Sequence, residues 1–172
     1  MNIPKSKITQ KDISKIKETD ELELVPMVLS KLLLSNQDGS VAVLEADDKA
    51  FTYALDSYEG TQLSFANAGL SDHSHIKTIY QLFLGWLRDQ EVKLTNIMLE
   101  AKVGDVHYVR LEWTDKQNKK IYSMVSLGDA LILSLLTKTK MSIIKNVIPL
   151  MNEYDENWPY EVEIIDFESN DD

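Results

Sequence analysis

I-Y-S-M-V-S-L-G-D-A-L-I-L-S-L-L-T-K-T-K-M-S-I-I-K-N, residues 121–146, decides how this chain folds. It reads as strand, tight turn, helix and strand. Residues 121–125 are short and rich in β-forming side chains. Ser126 and Asp129 make an S-x-x-D capping box, in which each side chain satisfies an orphan backbone donor at a helix start. Leu131, Ile132, Leu135 and Leu136 then fall at helical spacing. Leu133 widens the stripe, so this helix is predicted to be buried on more than one side. Lys138 and Lys140 lie near its negative end. Residues 141–145 are apolar and β-branched, as in a buried strand.

The same grammar occurs earlier in the chain. Residues 51–55 are followed by Asp56-x-x-Glu59, a second cap-like quartet, and a helix is predicted over about 57–67. Its apolar side carries Leu63, Phe65 and Ala66. The likeness of 51–63 to 121–133 points to a weak internal duplication of a βα unit. Upstream, residues 22–34 read as one long or bent strand, with Pro26 tolerated only at an edge or bulge. Asn36-Gln37-Asp38-Gly39 turns it into residues 40–44, a hairpin over 24–46, and Asp47-Asp48-Lys49 turns again into a third strand.

Between the two units, residues 69–74 form a loop. Ile76, Ile79, Tyr80, Phe83 and Leu87, with Trp86 beside them, then mark the clearest amphipathic helix, about 74–89. Residues 92–101 are a strand turned by Gly104-Asp105. Residues 106–113 alternate, with Val109, Leu111 and Trp113 on one side and Tyr108, Arg110 and Glu112 on the other. A second hairpin closes through residues 119–125. Asn146 is placed to cap a last helix reaching about Tyr154, with Pro149 in its first turn. Thr9-x-x-Asp12 with Ile13 and Ile16 predicts a short helix near 10–18. The fold expected is α+β: a mixed sheet with two βα-type units, hairpins and a central amphipathic helix.

Composition divides the chain into an N-terminal arm (1–21), a domain (22–154) and an acidic tail (155–172). The formal net charge is −10, and nine of the 28 acids fall in residues 153–172, where there is no Lys or Arg. The remaining 19 acids face 18 bases, so the domain is close to neutral. Neither part carries the basic stripe of a nucleic-acid binder. The absence of cysteine excludes disulfides, thiolate metal sites and Cys nucleophiles. The first residues lack the apolar run of a signal peptide and no run reaches membrane-spanning length, so a cytoplasmic location without membrane association is expected. Within the tail, residues 160–164 alternate and are interleaved with aromatics. Part of the tail is therefore expected to add as a strand, on this chain or a neighbour.

The order of elements resembles the bifunctional nuclease domain family, an α+β family of bacteria and plants, over about residues 22–150. Three places carry the resemblance. The family's L-P-I-x-I-G-x-x-E-A stands where this chain has F-T-Y-A-L-D-S-Y-E-G, residues 51–60, and Glu59 keeps the acid. A family helix opening T-H-x-L, followed by a strand F-Y-A-x-L, aligns with Lys77-Thr78-Ile79-Tyr80 and with residues 106–111. The family's I-D-x-R-P-S-D-A-I-A-L-A aligns with residues 123–134, where Asp129 and Ala130 keep the Asp-Ala pair. The departures fall on polar groups. Thr78 stands at the family His, Met124 at the first Asp, and Ser126-Leu127-Gly128 at Arg-Pro-Ser.

The resemblance implies a metal-dependent nuclease acting on DNA or RNA, with Mg²⁺ or Mn²⁺ as the divalent ion. The residues left to carry such chemistry are few. Glu59 and Asp129 are the matched acids. They serve either as capping residues or, if both helices start on one side of the sheet, as carboxylates meeting at one metal. Tyr108 and Arg110 alternate on a strand and suit stacking and pairing with nucleic acid, or a plain solvent-facing or dimer-facing surface. His73-x-His75 has metal-ligand spacing without a third ligand, and His107 lies in a strand. With most polar motif positions replaced, the reading is a non-catalytic or weakly active interaction module, with nuclease as the alternative. A homo-oligomer, a dimer, is expected, because sheet edges need covering.

Overall fold

Twelve residues, Leu24–Ser35, form the strand that joins the two halves of the molecule (β1). The computed structural model describes residues 22–35, 39–68, 77–155 and 162–167. After β1 come β2 (Gly39–Ala46), β3 (Lys49–Leu55), α1 (Ser57–Asn67), α2 (Ile79–Asp89), β4 (Lys93–Val103), β5 (Val106–Thr114) and β6 (Lys120–Val125). Next are α3 (Leu127–Thr137), β7 (Met141–Ile144), a 3-10 helix (Lys145–Leu150), β8 (Asn152–Glu153) and β9 (Glu163–Asp166). The sheet order is β6-β5-β4-β7-β1-β2-β3-β8, with β9 also beside β1. The β4–β7 pair is parallel and the others are antiparallel, so this is an α+β fold on a mixed sheet.

β1 changes partners along its length. Its first four residues pair with β7, and from Val28 onward it pairs with β2. Pro26 therefore sits where β1 is paired on one side only, a position where a missing N–H is tolerated. A bulge follows between Leu29 and Lys31, where the Ser30 hydroxyl donates to the Val43 carbonyl at 3.3 Å. Beyond the bulge, residues 31–34 pair with β9 on the side away from β2. The Phe167 N–H closes this pairing on the Ser30 carbonyl at 2.9 Å. The acidic segment Glu163–Asp166 thus joins this chain's own sheet, end to end with β7.

The duplication is larger than the βα unit. β1-β2-β3-α1 and β4-β5-β6-α3 are both three-strand meanders followed by a helix, and the two helices pack on each other. α3 holds the middle of the helical layer, touching α1, α2, β4 and β5. Leu127, Leu131 and Ile132 are fully buried, against a floor that includes Ile97 and Leu99 of β4 and Val109 and Leu111 of β5. Each such side chain contributes roughly 1.5–3 kcal/mol of transfer free energy. The apolar stripe that widens at Leu133 is what a helix between a sheet and two neighbours requires.

Four features differ from the sequence expectations. The amphipathic helix begins at Ile79, not near 74, because Thr78 caps it. The Gln81 N–H donates to the Thr78 hydroxyl at 3.3 Å, and the Thr78 N–H donates to the Gln81 side chain at 2.9 Å. None of its residues is fully buried, and Ile79, Leu82, Phe83 and Trp86 are exposed. It lies on the flank of the helical layer, whose centre belongs to α3. In α1, Leu63 is buried as expected but Phe65 points outward. The last helix is a 3-10 turn with no side-chain cap from Asn146. Pro149 cannot donate an N–H and its ring opposes an α-turn. Met151 then turns inward, and β8 pairs with β3 at Phe51 and Thr52.

The predicted helix at 10–18, together with His73 and His75, lies outside the described residues. Among the described residues no helix is long and apolar enough to cross a membrane.

Candidate functional site

Glu59 and Asp129 both stand three residues after a cap, each in the first turn of its helix. Because α1 and α3 pack together, the two helix starts are neighbours. At α1 the box is complete. The Glu59 N–H donates to Asp56 Oδ1 at 2.7 Å, and the Asp56 N–H donates to Glu59 Oε2 at 3.0 Å. The same Glu59 carboxylate reaches across to α3, beside the Ser126 hydroxyl. It fills the space above Gly128: a Cβ added there would lie 1.9 Å from Glu59 Oε1. Glycine at 128 is what lets one carboxylate serve two helix starts.

At α3 the expected reciprocal box is only half present. The Asp129 N–H donates to the Ser126 hydroxyl at 3.1 Å, completing the cap from one side. The Asp129 carboxylate does not return to Ser126. Its Oδ1 instead accepts the Tyr80 hydroxyl at 2.6 Å, a charge-assisted bond that ties α2 to α3. Two further tyrosines surround the junction. Tyr58 stacks on Tyr80 with ring centroids 6.3 Å apart, and the Tyr53 hydroxyl lies near the Gly128 N–H at the start of α3.

Crowding acids at one spot has an electrostatic consequence. Burial pushes the Glu59 carboxyl above the usual carboxylate range. The Asp56 N–H pulls it down, the Asp56 and Asp129 charges push it up, and the Ser126 hydroxyl pulls it down again. Burial and the Glu59 charge likewise raise Tyr53. Burial and the hydrogen bond to Asp129 raise Tyr80. The phenols are therefore fixed as neutral donors and acceptors.

Because the folded protein binds the Glu59 proton more tightly than the unfolded chain, this group favours the fold most below its unfolded value. That advantage is lost as pH rises through the raised folded value. Glu59→Gln can still serve a capping box and is expected to fold. Melting temperature followed upward from about pH 4.5 should fall in the native chain by more than in Glu59→Gln. Parallel curves would show that Glu59 is not held in this junction.

Removing the Tyr80 hydroxyl tests the other half of the cluster. A hydrogen bond to a charged group is worth roughly 1.5–3 kcal/mol when buried. Tyr80 and Asp129 are only half-buried, so solvent screening reduces this. Tyr80→Phe is expected to lower stability by about 1 kcal/mol in urea unfolding, and no change would show that the bond contributes nothing.

The other two candidates lie on the sheet's opposite face, as the alternation requires. Val109, Leu111 and Trp113 are buried under the helices, while Tyr108 is exposed and Arg110 half-buried outside. Arg110 is already engaged: its guanidinium pairs with Glu100 at 2.9 Å and lies over the Tyr122 ring, 5.3 Å from the centroid. Arg110 and Tyr108 thus share a face that Glu59 and Asp129 do not reach.

His107 was not assigned a role by its sequence setting. Its ring meets Tyr53 edge-on at 5.0 Å, and its Nδ1 is buried without a hydrogen-bond partner among the described residues. Burial and the Lys102 charge pull the imidazole below its usual range, partly offset by Asp105, so it stays neutral at pH 7. Among the described residues no group of three or more His, Cys, Asp and Glu side chains converges as a metal site would need. The tyrosines were the residues sequence reasoning missed. Tyr58 lies inside the Asp56-x-x-Glu59 quartet and Tyr80 in the segment Lys77-Thr78-Ile79-Tyr80, and only the packing of three helices shows why they matter.

No family model matches this chain, and no curated protein matches it either.

Proposed function

We propose that this chain is a non-catalytic interaction module on a scaffold resembling the bifunctional nuclease domain. The observation that carries the reading is the employment of Glu59 and Asp129. A helix N-terminus is a ready anion site, and two adjacent ones would suit a phosphate. Here the protein's own carboxylates occupy those positions. Glu59 accepts the Asp56 N–H and stands over Gly128 beside Ser126, and Asp129 accepts the Tyr80 hydroxyl. The near-neutral domain supports the same reading, since phosphate-backbone binding draws on Lys and Arg contacts.

The test is cleavage of single- and double-stranded DNA and RNA with Mg²⁺ or Mn²⁺, using the native chain, Glu59→Gln and Asp129→Asn. The expected result is no turnover by any of the three. Metal-dependent cleavage by the native chain that both variants abolish would overturn the reading and establish the nuclease.

A further inference from the structure

The sheet ends at β6, and among the described residues no strand covers its outer side. The opposite end is shielded at Phe51 and Thr52 by β8, and the half of β1 beyond its bulge is covered by β9. Proteins usually blunt a free edge with a proline, a bulge or a charge. β6 has no proline, and its register with β5 is unbroken from Lys120 to Val125. Its one charge, Lys120, is drawn to Glu112 at 3.0 Å. Ile121, Tyr122 and Met124 project from this edge, about half exposed.

Ile121 faces the helical layer and adjoins α2, while Tyr122 and Met124 lie on the other face of the same edge, beside Arg110. Phe83 packs edge-on against Trp113 at 5.9 Å, and Trp113 lies directly opposite Ile121 in the sheet. Trp86 stacks on Phe83, and Ile79 and Leu82 extend the surface along the helix. A large side chain presents roughly 150–250 Å² when bare. At their observed exposures these residues, spread over both faces of the edge, together offer on the order of 700 Å², close to the ~800 Å² per partner of a standard interface.

We propose that β6 and the outward face of α2 form the two-fold interface of a homodimer, in which β6 pairs antiparallel with β6 of a second copy. This deepens the interaction-module reading by naming one partner and its surface. Self-pairing fits the order of residues on the strand. A two-fold axis through Ser123, normal to the sheet, keeps every residue on its own face. It sets Tyr122 opposite the second copy's Met124, and Ile121 opposite the second copy's Val125. Such aromatic and β-branched cross-strand pairs stabilise a sheet, and no like charges face each other. The same axis places both α2 helices on one side of the joined sheet, flanking the seam.

The described strand of the acidic tail lies away from this contact. The described acidic strand β9 lies on the far side of β5 and β4, about 14 Å from β6 at ~4.8 Å per strand. That exceeds the ~8 Å Debye length at physiological salt.

The experiment is sedimentation of the full chain at tens of micromolar, with circular dichroism to check folding. A mass of twice 19.7 kDa is expected. Met124→Lys and Trp86→Lys should each weaken association at least tenfold, because both side chains are exposed in the single copy. Phe65→Lys, on the exposed side of α1, should leave it unchanged. The chain has no cysteine, so Ser123→Cys supplies a second measurement independent of the lysine variants. Under mild oxidation it should give a disulfide-linked dimer in far higher yield than Phe65→Cys. A native chain of 19.7 kDa overturns the proposal. So does a dimer that neither lysine variant weakens, or equal cross-linking at 65 and 123. A monomer whose tryptophan fluorescence shifts on removal of residues 1–21 would also overturn it, showing that the arm covers the surface. Nuclease activity would refute the non-catalytic reading without altering any of these masses.

Discussion

Leu131→Ala is expected to lower the stability of this fold by about 2–5 kcal/mol, the largest loss from any single truncation considered for this chain. Leu131 is fully buried in α3, which touches both other helices and the sheet. The cost has two parts: the lost transfer free energy of the removed carbons, and the cavity they leave. The cavity part is large here because α3 cannot settle into the gap. It is fixed at its start by Ser126 and by the Glu59 and Tyr80 contacts, and at its end by the Ser134 hydroxyl donating to the Thr139 carbonyl at 2.7 Å. For a chain of this length each kcal/mol shifts the midpoint by roughly 2–4 °C, so thermal unfolding should drop by about 5–20 °C. Phe65→Ala is the matched control. Its ring is nearly half exposed, so its loss should stay near 0.5 kcal/mol. A loss below about 1 kcal/mol for Leu131→Ala would mean that α3 is not the centre of the core.

Most of this architecture was legible because local signals agreed with one another. Asp47 and Asp48 both adopt positive φ, as a tight hairpin turn demands, and the flanking runs pair without a bulge from Ser40 to Ala46. The strict alternation of residues 108–113 sorted the faces of β5 correctly. Both caps lie where the S-x-x-D and D-x-x-E quartets placed them. The failures share a physical origin in tertiary context. Periodicity finds an apolar face but does not say what covers it, so α2 looked central although it lies at the flank. Pro149 and Asn146 fitted an α-helical start, but the burial of Val147 and Ile148 and the inward turn at Met151 favour a tighter 3-10 turn.

The candidate site was half legible for the same reason. Glu59 and Asp129 were found by motif, and the alternatives of capping or convergence were both open. In the structure the helix starts are adjacent, Glu59 completes the capping box of its own helix, and Asp129 links α3 to α2 through Tyr80. Nothing in the sequence spacing announces that Tyr80, 49 positions away, donates to Asp129. Nor does it announce that Gly128 is small because Glu59 stands over it.

Gly60→Ala is expected to destabilise the fold by about 1–3 kcal/mol, against the direction of helix propensity. Alanine exceeds glycine by about 1 kcal/mol in a helix interior, so a free position would gain from the change. Gly60 is not free. A Cβ there would lie 2.4 Å from Ser40 Oγ and 2.7 Å from Ser40 Cβ. The second contact decides the sign, because that Cβ is fixed to the β2 backbone and cannot rotate away. α1 must lift off the sheet and loosen the Leu63 contacts beneath it. Ser40→Gly removes both obstructing atoms, so the double variant should recover most of the loss. Urea unfolding of the four proteins in this cycle should give a coupling energy of about 1 kcal/mol or more. Gly128→Ala supplies the contrast: the three atoms nearest its Cβ would all belong to the flexible end of Glu59. Glu59 can swing aside, losing its bridging bonds while the helix gains from alanine, so the net change should be near zero. If Gly60→Ala stabilises the protein, α1 does not rest on β2 at this distance. The two glycines would then be interchangeable, which the difference between a fixed Cβ and a mobile carboxylate forbids.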